Sequence, residues 1–306
     1  MTASLVEQLL GGSPLALAKV ISLLEDDSPE APRLIDELHP HGGSAYRVGI
    51  TGPPGAGKST LADQLTRLYR QAGRKVGILV VDPTSRFTGG AVLGDRLRLR
   101  DHFLDDGVFI RSMASRGETG GLAARTVEVA GVLEAAGHDL IIFETVGVGQ
   151  TELDVAGAVD TTVVVLVPES GDEVQLMKAG IYEVADIFAV NKSDRQGADR
   201  LQSLVEQQLG LKEEAAAWKV PVCQTSATQG EGIAELKELV DRHGEYLASS
   251  GEQAVKSRAR ARRLVENLMA AQVMNDFWTQ PRRKALDAGL DNTPPHQLAQ
   301  SLLDMA

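Results

Sequence analysis

A single cysteine, Cys223, stands in this 306-residue chain, so no disulfide can close within it and a reducing cytosol suits it. Its place in a strand-like run before Thr225 reads as a core thiol. Positive charge is not in surplus. The 31 Lys and Arg residues face 42 Asp and Glu, a formal net charge of −11, which gives no support to non-specific nucleic-acid binding. Apolar runs of the roughly 20 residues needed to cross a bilayer are missing. The opening Met1-Thr2-Ala3-Ser4-Leu5-Val6-Glu7 has no basic region ahead of an apolar one, so no leader is expected and the expected location is cytoplasmic. The six histidines do not cluster at metal-ligand spacing, and His39-Pro40-His41, the nearest approach, reads as a solvated loop. Internal repeats and low-complexity segments are also lacking. Against these absences, 43% hydrophobic and 24% charged residues match a soluble globular protein, and 306 residues allow about two domains of ordinary size or one large α/β domain with extensions.

What is present is first a phosphate cradle. Gly52-Pro53-Pro54-Gly55-Ala56-Gly57-Lys58-Ser59-Thr60 fits G-x-x-x-x-G-K-[ST]. An apolar run, Tyr46–Thr51, precedes it as a strand, and helical spacing follows from Leu61 to Tyr69. Glycines let backbone N–H groups turn inward around an anion, and the helix N-terminus adds a favourable dipole. Lys58 then reaches the β- and γ-phosphates, and the Ser59 hydroxyl is placed to ligate Mg²⁺. The expected ligand is a nucleoside triphosphate.

The base is read further along. Asp186–Val190 runs as a buried strand into Asn191-Lys192-Ser193-Asp194. A carboxylate at Asp194, expected to be buried, can accept two hydrogen bonds from guanine N1–H and its exocyclic amine, which adenine cannot offer. Lys192 can lay its stem along the base. After the strand at 221–225, Ser226, Ala227 and Thr228 complete the pattern, since a backbone N–H there meets guanine O6 in the G-proteins that the chain resembles.

Strand-like and helical runs alternate through the middle of the chain, which predicts an α/β P-loop fold with a mostly parallel sheet covered by helices. The strands are expected at 47–51, 76–82, 108–113, 140–144, 161–167, 187–191 and 221–225, nearly continuous in Val, Ile and Leu. Helices are expected at 121–136, 173–184 and 201–209. Ahead of this domain (44–247), an N-terminal extension (1–43) carries helices at 4–10 and 15–24, with Ser13 and Pro14 starting the second. Beyond it, a C-terminal arm (248–306) carries helices at 253–278 and 295–305. Its apolar Leu264, Leu268, Val273, Phe277 and Trp278 need cover.

Acids at strand ends are the candidates for holding Mg²⁺ and positioning water. Asp82 ends the second strand and opens a segment reaching Asp95, and Glu144 opens Glu144-Thr145-Val146-Gly147. Gly147 can sense the γ-phosphate through its N–H. Val148 stands where Ras-like proteins carry a water-orienting glutamine, so intrinsic hydrolysis is expected to be slow. Together Val81–Thr84, Phe87–Asp95, Arg111–Gly117, Glu144–Gln150 and Gly171–Gly180 resemble the MeaB/ArgK family, to which the methylmalonic aciduria type A proteins belong. That resemblance covers residues from about 5 to 245. It implies a GTPase that acts as a G-protein chaperone of an adenosylcobalamin-dependent acyl-CoA mutase, methylmalonyl-CoA mutase above all, with the cobalamin belonging to the partner. It implies that Ser59, Asp82, Asp95 and Glu144 form the metal site, and that Lys58, Asp82, Glu144 and Gly147 carry hydrolysis. The segments 82–95 and 144–154 become two switches, and 171–178 a third. Gln150, Asp172, Glu173 and Lys178 then face the partner, and the arm joins a homodimer. Methylmalonyl-, isobutyryl- and ethylmalonyl-CoA mutases all fit, as do cofactor loading and removal of damaged cofactor. Other readings are a transport-linked (arginine/ornithine) kinase, a nickel-insertion GTPase, which the lone cysteine disfavours, and an ATP-dependent corrinoid adenosyltransferase, disfavoured by Asn191–Asp194.

Overall fold

The computed structural model describes residues 4–43, 45–82, 99–114, 121–145, 155–168, 181–210 and 217–305; for Asp82, Arg100, Ala114, 121–124 and Ile181 it describes the backbone alone. Its centre is β1 (Tyr46–Thr51), whose neighbours are β4 (Leu140–Thr145) and β5 (Thr161–Leu166). With β2 (Val76–Asp82), β3 (Val108–Ala114), β6 (Ile187–Asn191) and β7 (Val222–Thr225) they form a seven-stranded sheet in the order β3-β2-β4-β1-β5-β6-β7. Every pairing is parallel. The seven expected strands are all present within a residue or two. β4, β5 and β6 are buried along their whole length, which is why they read as unbroken apolar runs rather than alternating ones.

Helices lie on both faces. One face carries α4 (Lys58–Gln71) and α8 (Ile233–Ser250), packed through Leu61, Leu65, Leu236 and Val240 onto Val48, Ile50, Ile142 and Val163. The opposite face is shared. Over β3, β2 and β4 lie the N-terminal helices α1 (Leu5–Leu10), α2 (Pro14–Glu25) and α3 (Ala31–Leu38) together with α5 (Gly121–Ala135). The short α6 (Ile181–Val184) and the longer α7 (Ala198–Gly210) flank β5 and β6, where Leu201 and Val205 of α7 meet Phe188 and Val190. Ser4 and Glu7 form a reciprocal cap on α1, and Ser13 accepts from Ala16 N with Pro14 as the first residue of α2. α3 was not among the expected helices, although Ala31, Leu34 and Leu38 share its buried face. The lone Cys223 is buried in β7 and its Sγ–H points at Phe188 O, 3.6 Å away.

The chain divides into two compact units, 1–260 and 261–306. Helix α9 (Glu252–Phe277) begins in the first unit, where Lys256 Nζ donates to Asp160 O at 2.6 Å and Arg260 Nη1 pairs with Asp160 Oδ1 at 2.6 Å. Asp160 also accepts from Arg47 N, so the start of α9 is tied to the starts of β1 and β5. Beside it, His243 shares a hydrogen bond with Thr161 and stacks near Trp218, with Asp186 Oδ1 3.4 Å from its Nε2. In the second unit, α10 (Gln280–Gly289) and α11 (Pro295–Leu303) pack through Leu298 and Leu302, and Arg282 lies over the Phe277 ring. α9 buries none of its residues: Leu268 and Val273 are exposed, and Leu264, Phe277 and Trp278 are half-buried. Among the described residues no helix is long and apolar enough to cross a membrane.

Candidate nucleotide site

The strand order places β1 at the point where successive connections turn to opposite sides, the usual place for a ligand crevice in such sheets. Residues 52–57 leave the C-terminal end of β1 and enter α4 at Lys58. Gly57 takes φ +91°, and a side chain there would collide with Asn191 Nδ2. Ala56, Lys58 and Ser59 are buried, Pro53, Gly57 and Thr60 half-buried, and Pro54 and Gly55 exposed. The Lys58 ammonium donates to the carbonyls of Gly52 at 2.6 Å and Pro53 at 3.0 Å, so it must exchange these for phosphate oxygens when it engages a nucleotide.

Glu144 is level with Ile50 of β1 and Val80 of β2. Its side chain shares the α4 face with Leu140 and Ile142, and its Oε1 accepts the Ser59 hydroxyl proton. The two residues are 3% and 8% exposed, so a hydroxyl and a carboxylate, both hard oxygen donors, meet in a buried corner at the start of α4. That donor set fits Mg²⁺, which takes oxygen ligands and keeps waters. Asp82 ends β2 level with Ala114, but its side chain, together with Asp95, Gly147, Val148, Gln150, Asp172, Glu173 and Lys178, lies outside the described residues. On the other face of β4, Thr145 Oγ1 donates to Thr51 Oγ1 at 3.1 Å, a contact the motifs gave no hint of.

The elements expected to read the base converge on the same end of the sheet. Asn191 and Thr225 are level in β6 and β7. Asn191 Nδ2 donates to Ala56 O at 2.7 Å, while its Oδ1 accepts from Thr225 Oγ1 and Ala227 N, both at 3.1 Å. One buried amide therefore ties the phosphate loop to the 225–227 loop. Lys192 follows at φ +60°, a left-handed turn that swings the chain outward to Asp194. Ser226 Oγ donates to Asp194 Oδ1 at 2.7 Å and aims the carboxylate. Ser226 also bridges Glu231 by backbone, and Thr228 sits exposed in the turn between them. Contrary to the sequence expectation Asp194 is exposed, at the turn that follows β6, with Ser226 Oγ bonded to its Oδ1.

Comparisons with known proteins give the family. Residues 17–282 match the family model described as methylmalonyl Co-A mutase-associated GTPase MeaB. A protein of Pyrococcus horikoshii with a provisional GTPase name is 48% identical over 269 residues, which is 87% of this chain and 85% of that one. GTPase ArgK of Escherichia coli is 35% identical over 81% of this chain and 78% of its own. The mouse mitochondrial methylmalonic aciduria type A homolog is 37% identical over 77% of this chain and 58% of its own length. Among solved structures, a LAO/AO transport system kinase aligns with a TM-score of 0.73 at 26% identity, over 98% of this chain and 95% of that one. HypB of Helicobacter pylori, at 18% identity and a TM-score of 0.50, shares the fold alone. A phosphate-loop motif, an Asn-Lys-Ser-Asp tetrad at a strand end and a family match across most of the chain lead to one assignment: the chain belongs to the MeaB family of methylmalonyl-CoA mutase-associated P-loop GTPases.

Proposed function

We propose that this GTPase is Mg²⁺-dependent and serves as a G-protein chaperone that gates cofactor loading and protection of an adenosylcobalamin-dependent acyl-CoA mutase. The observation that carries the reading is the MeaB match over 17–282, which spans both the nucleotide site and the start of the arm. In this reading Asn191, Lys192, Asp194 and residues 226–228 hold guanine, residues 52–60 cradle the phosphates, and Ser59 with Glu144, Asp82 and Asp95 hold the metal. Bound there, Mg²⁺ neutralises charge on the β- and γ-phosphate oxygens. Lys58 adds a second positive charge at those oxygens. Asp82 orients the attacking water, so Asp82→Ala should abolish turnover with modest loss of GDP affinity; undiminished hydrolysis removes it from the mechanism. Gly147 senses the γ-phosphate, and Gln150, Asp172, Glu173 and Lys178 report the nucleotide to the mutase. The arm joins two copies, and the protein works in the cytoplasm.

A partner that favours the closed nucleotide state raises turnover by shifting that population, and its own affinity then responds to the nucleotide. The test is a GTPase assay with the acyl-CoA mutases of the source organism added one at a time. The cognate mutase should raise the rate about tenfold or more, roughly 1.4 kcal/mol of barrier. No stimulation and no complex with any of them defeats the chaperone reading and leaves the GTPase without an assigned output. Phosphate transfer to a solute-binding protein would instead favour a transport-linked kinase.

A further inference from the structure

The ladder between β1 and β4 runs from Tyr46↔Leu140 to Ile50↔Glu144. One step past that last rung stand Thr51 and Thr145, each 1% exposed. Their side chains point away from α4, on the face where Ile141 and Phe143 join the core of α5 and the N-terminal helices. Thr145 Oγ–H donates to Thr51 Oγ at 3.1 Å. Thr51 directly precedes Gly52, the first residue of the phosphate loop, and Thr145 directly follows Glu144. The end of β4 is thus fastened on both faces, to the start of α4 by Ser59 with Glu144 and to the end of β1 by the paired hydroxyls.

We propose that Thr51 and Thr145 are positioning residues for GTP hydrolysis, holding the end of β4 level with the root of the phosphate loop so that Glu144 stays against Ser59. Packing alone does not call for two hydroxyls here. A pair of valines has nearly the same shape, and burying two hydroxyls against each other gives only a small net stabilisation. What the bond adds is a fixed height between two strand ends where the β1–β4 ladder stops. Small displacements at such a place are costly to a reaction that depends on alignment: a shift on the order of 1 Å can cost about a hundredfold.

The test compares Thr145→Val, Thr145→Ser, Thr51→Val and the double Thr51→Val/Thr145→Val with the unmodified full chain, measuring kcat, KM and thermal unfolding on the same preparations. Val keeps the volume and loses the hydroxyl; Ser keeps the hydroxyl and loses a methyl. Each Val variant should lose about tenfold in kcat with KM changed less than about twofold. Thr145→Ser should keep most of the turnover. The double variant should be no slower than the slower single, while its melting temperature equals or exceeds theirs, because no lone hydroxyl is left buried. A Thr145→Val protein with unmodified kcat overturns the proposal, as does a Ser variant slower than the Val variant, which makes packing the cause. Should Thr145→Val fail to fold, Thr51→Val and the double variant decide by the same criteria. None of these readouts depends on which partner the GTPase serves.

Discussion

Gly57→Ala is a substitution whose cost can be worked from the structure. The backbone at Gly57 has φ +91° and ψ 22°, a left-handed conformation that costs an L-residue about 1–2 kcal/mol. The added methyl would collide with Asn191 Nδ2, the atom that donates to Ala56 O at 2.7 Å. Moving it gives up that bond and loosens the two that Asn191 Oδ1 accepts from Thr225 and Ala227. At about 1 kcal/mol per bond this adds roughly 1–3 kcal/mol, for about 2–5 kcal/mol in total. The cost appears as lost stability if the loop keeps its shape, or as lost nucleotide affinity if the loop relaxes. The quantity to measure is therefore the sum of the two, from chemical denaturation of the free protein and calorimetry with GDP. Gly55→Ala is the control. Gly55 also has positive φ, +73°, but nothing lies within 4 Å of a methyl there, so only the backbone cost of about 1–2 kcal/mol applies. A summed loss for Gly57→Ala no larger than that for Gly55→Ala refutes the role given to Asn191.

Guanine selectivity should rest on Asp194: GDP is expected to bind at least about a hundredfold tighter than ADP, and Asp194→Asn should shift preference towards xanthine nucleotides. Equal calorimetric affinities for GDP and ADP in the unmodified protein overturn this. Burial pushes His243 down to about 4, with Lys256 adding to the effect, so this ring is neutral in the folded protein at pH 7. Its folded pKa lies below its unfolded value, so its stabilisation is full above about pH 6.5 and falls with acidification, by about 2 kcal/mol at pH 5. Asp186, 3.4 Å from the ring and itself raised by burial, acts in the opposite direction. Urea midpoints of His243→Phe should therefore depend less steeply on pH between 6.5 and 5; an unchanged slope counts against the assignment. Light scattering at micromolar concentration should give a dimer through the arm, and a monomer with and without nucleotide counts against that association.

The sheet was legible in the sequence because its central strands are short, mostly apolar runs rich in Val, Ile and Leu, bounded by turn residues, and even the edge strands β3 and β7 carry enough apolar residues to stand out. α3 was legible in principle: Ala31, Leu34 and Leu38 have helical spacing and Pro32 stands in the first turn. α10 was less so, since it buries none of its residues and periodicity has nothing to report there. The phosphate-loop motif and the Asn191–Asp194 tetrad stood out because each is contiguous in the chain. Pairings set by strand register were not. Ser59 meets Glu144 across 85 positions and Thr51 meets Thr145 across 94, and both depend on β4 lying beside β1 although β2 and β3 come between them in the chain. The reach of Asn191 to Ala56 was hidden for the same reason.

The burial of Cys223 has a practical consequence. At 2% exposure, with its thiol pushed up to about 12 by burial, it offers almost no thiolate to an alkylating reagent at neutral pH. The chain is thus chemically silent towards maleimides and methanethiosulfonates without any engineering. A cysteine introduced at Leu104, which is 97% exposed, or at Val273, which is 63% exposed, becomes a unique handle for a fluorophore or spin label. One label per chain is then enough to test whether two copies associate, and to follow either unit through the GTPase cycle in an otherwise native protein.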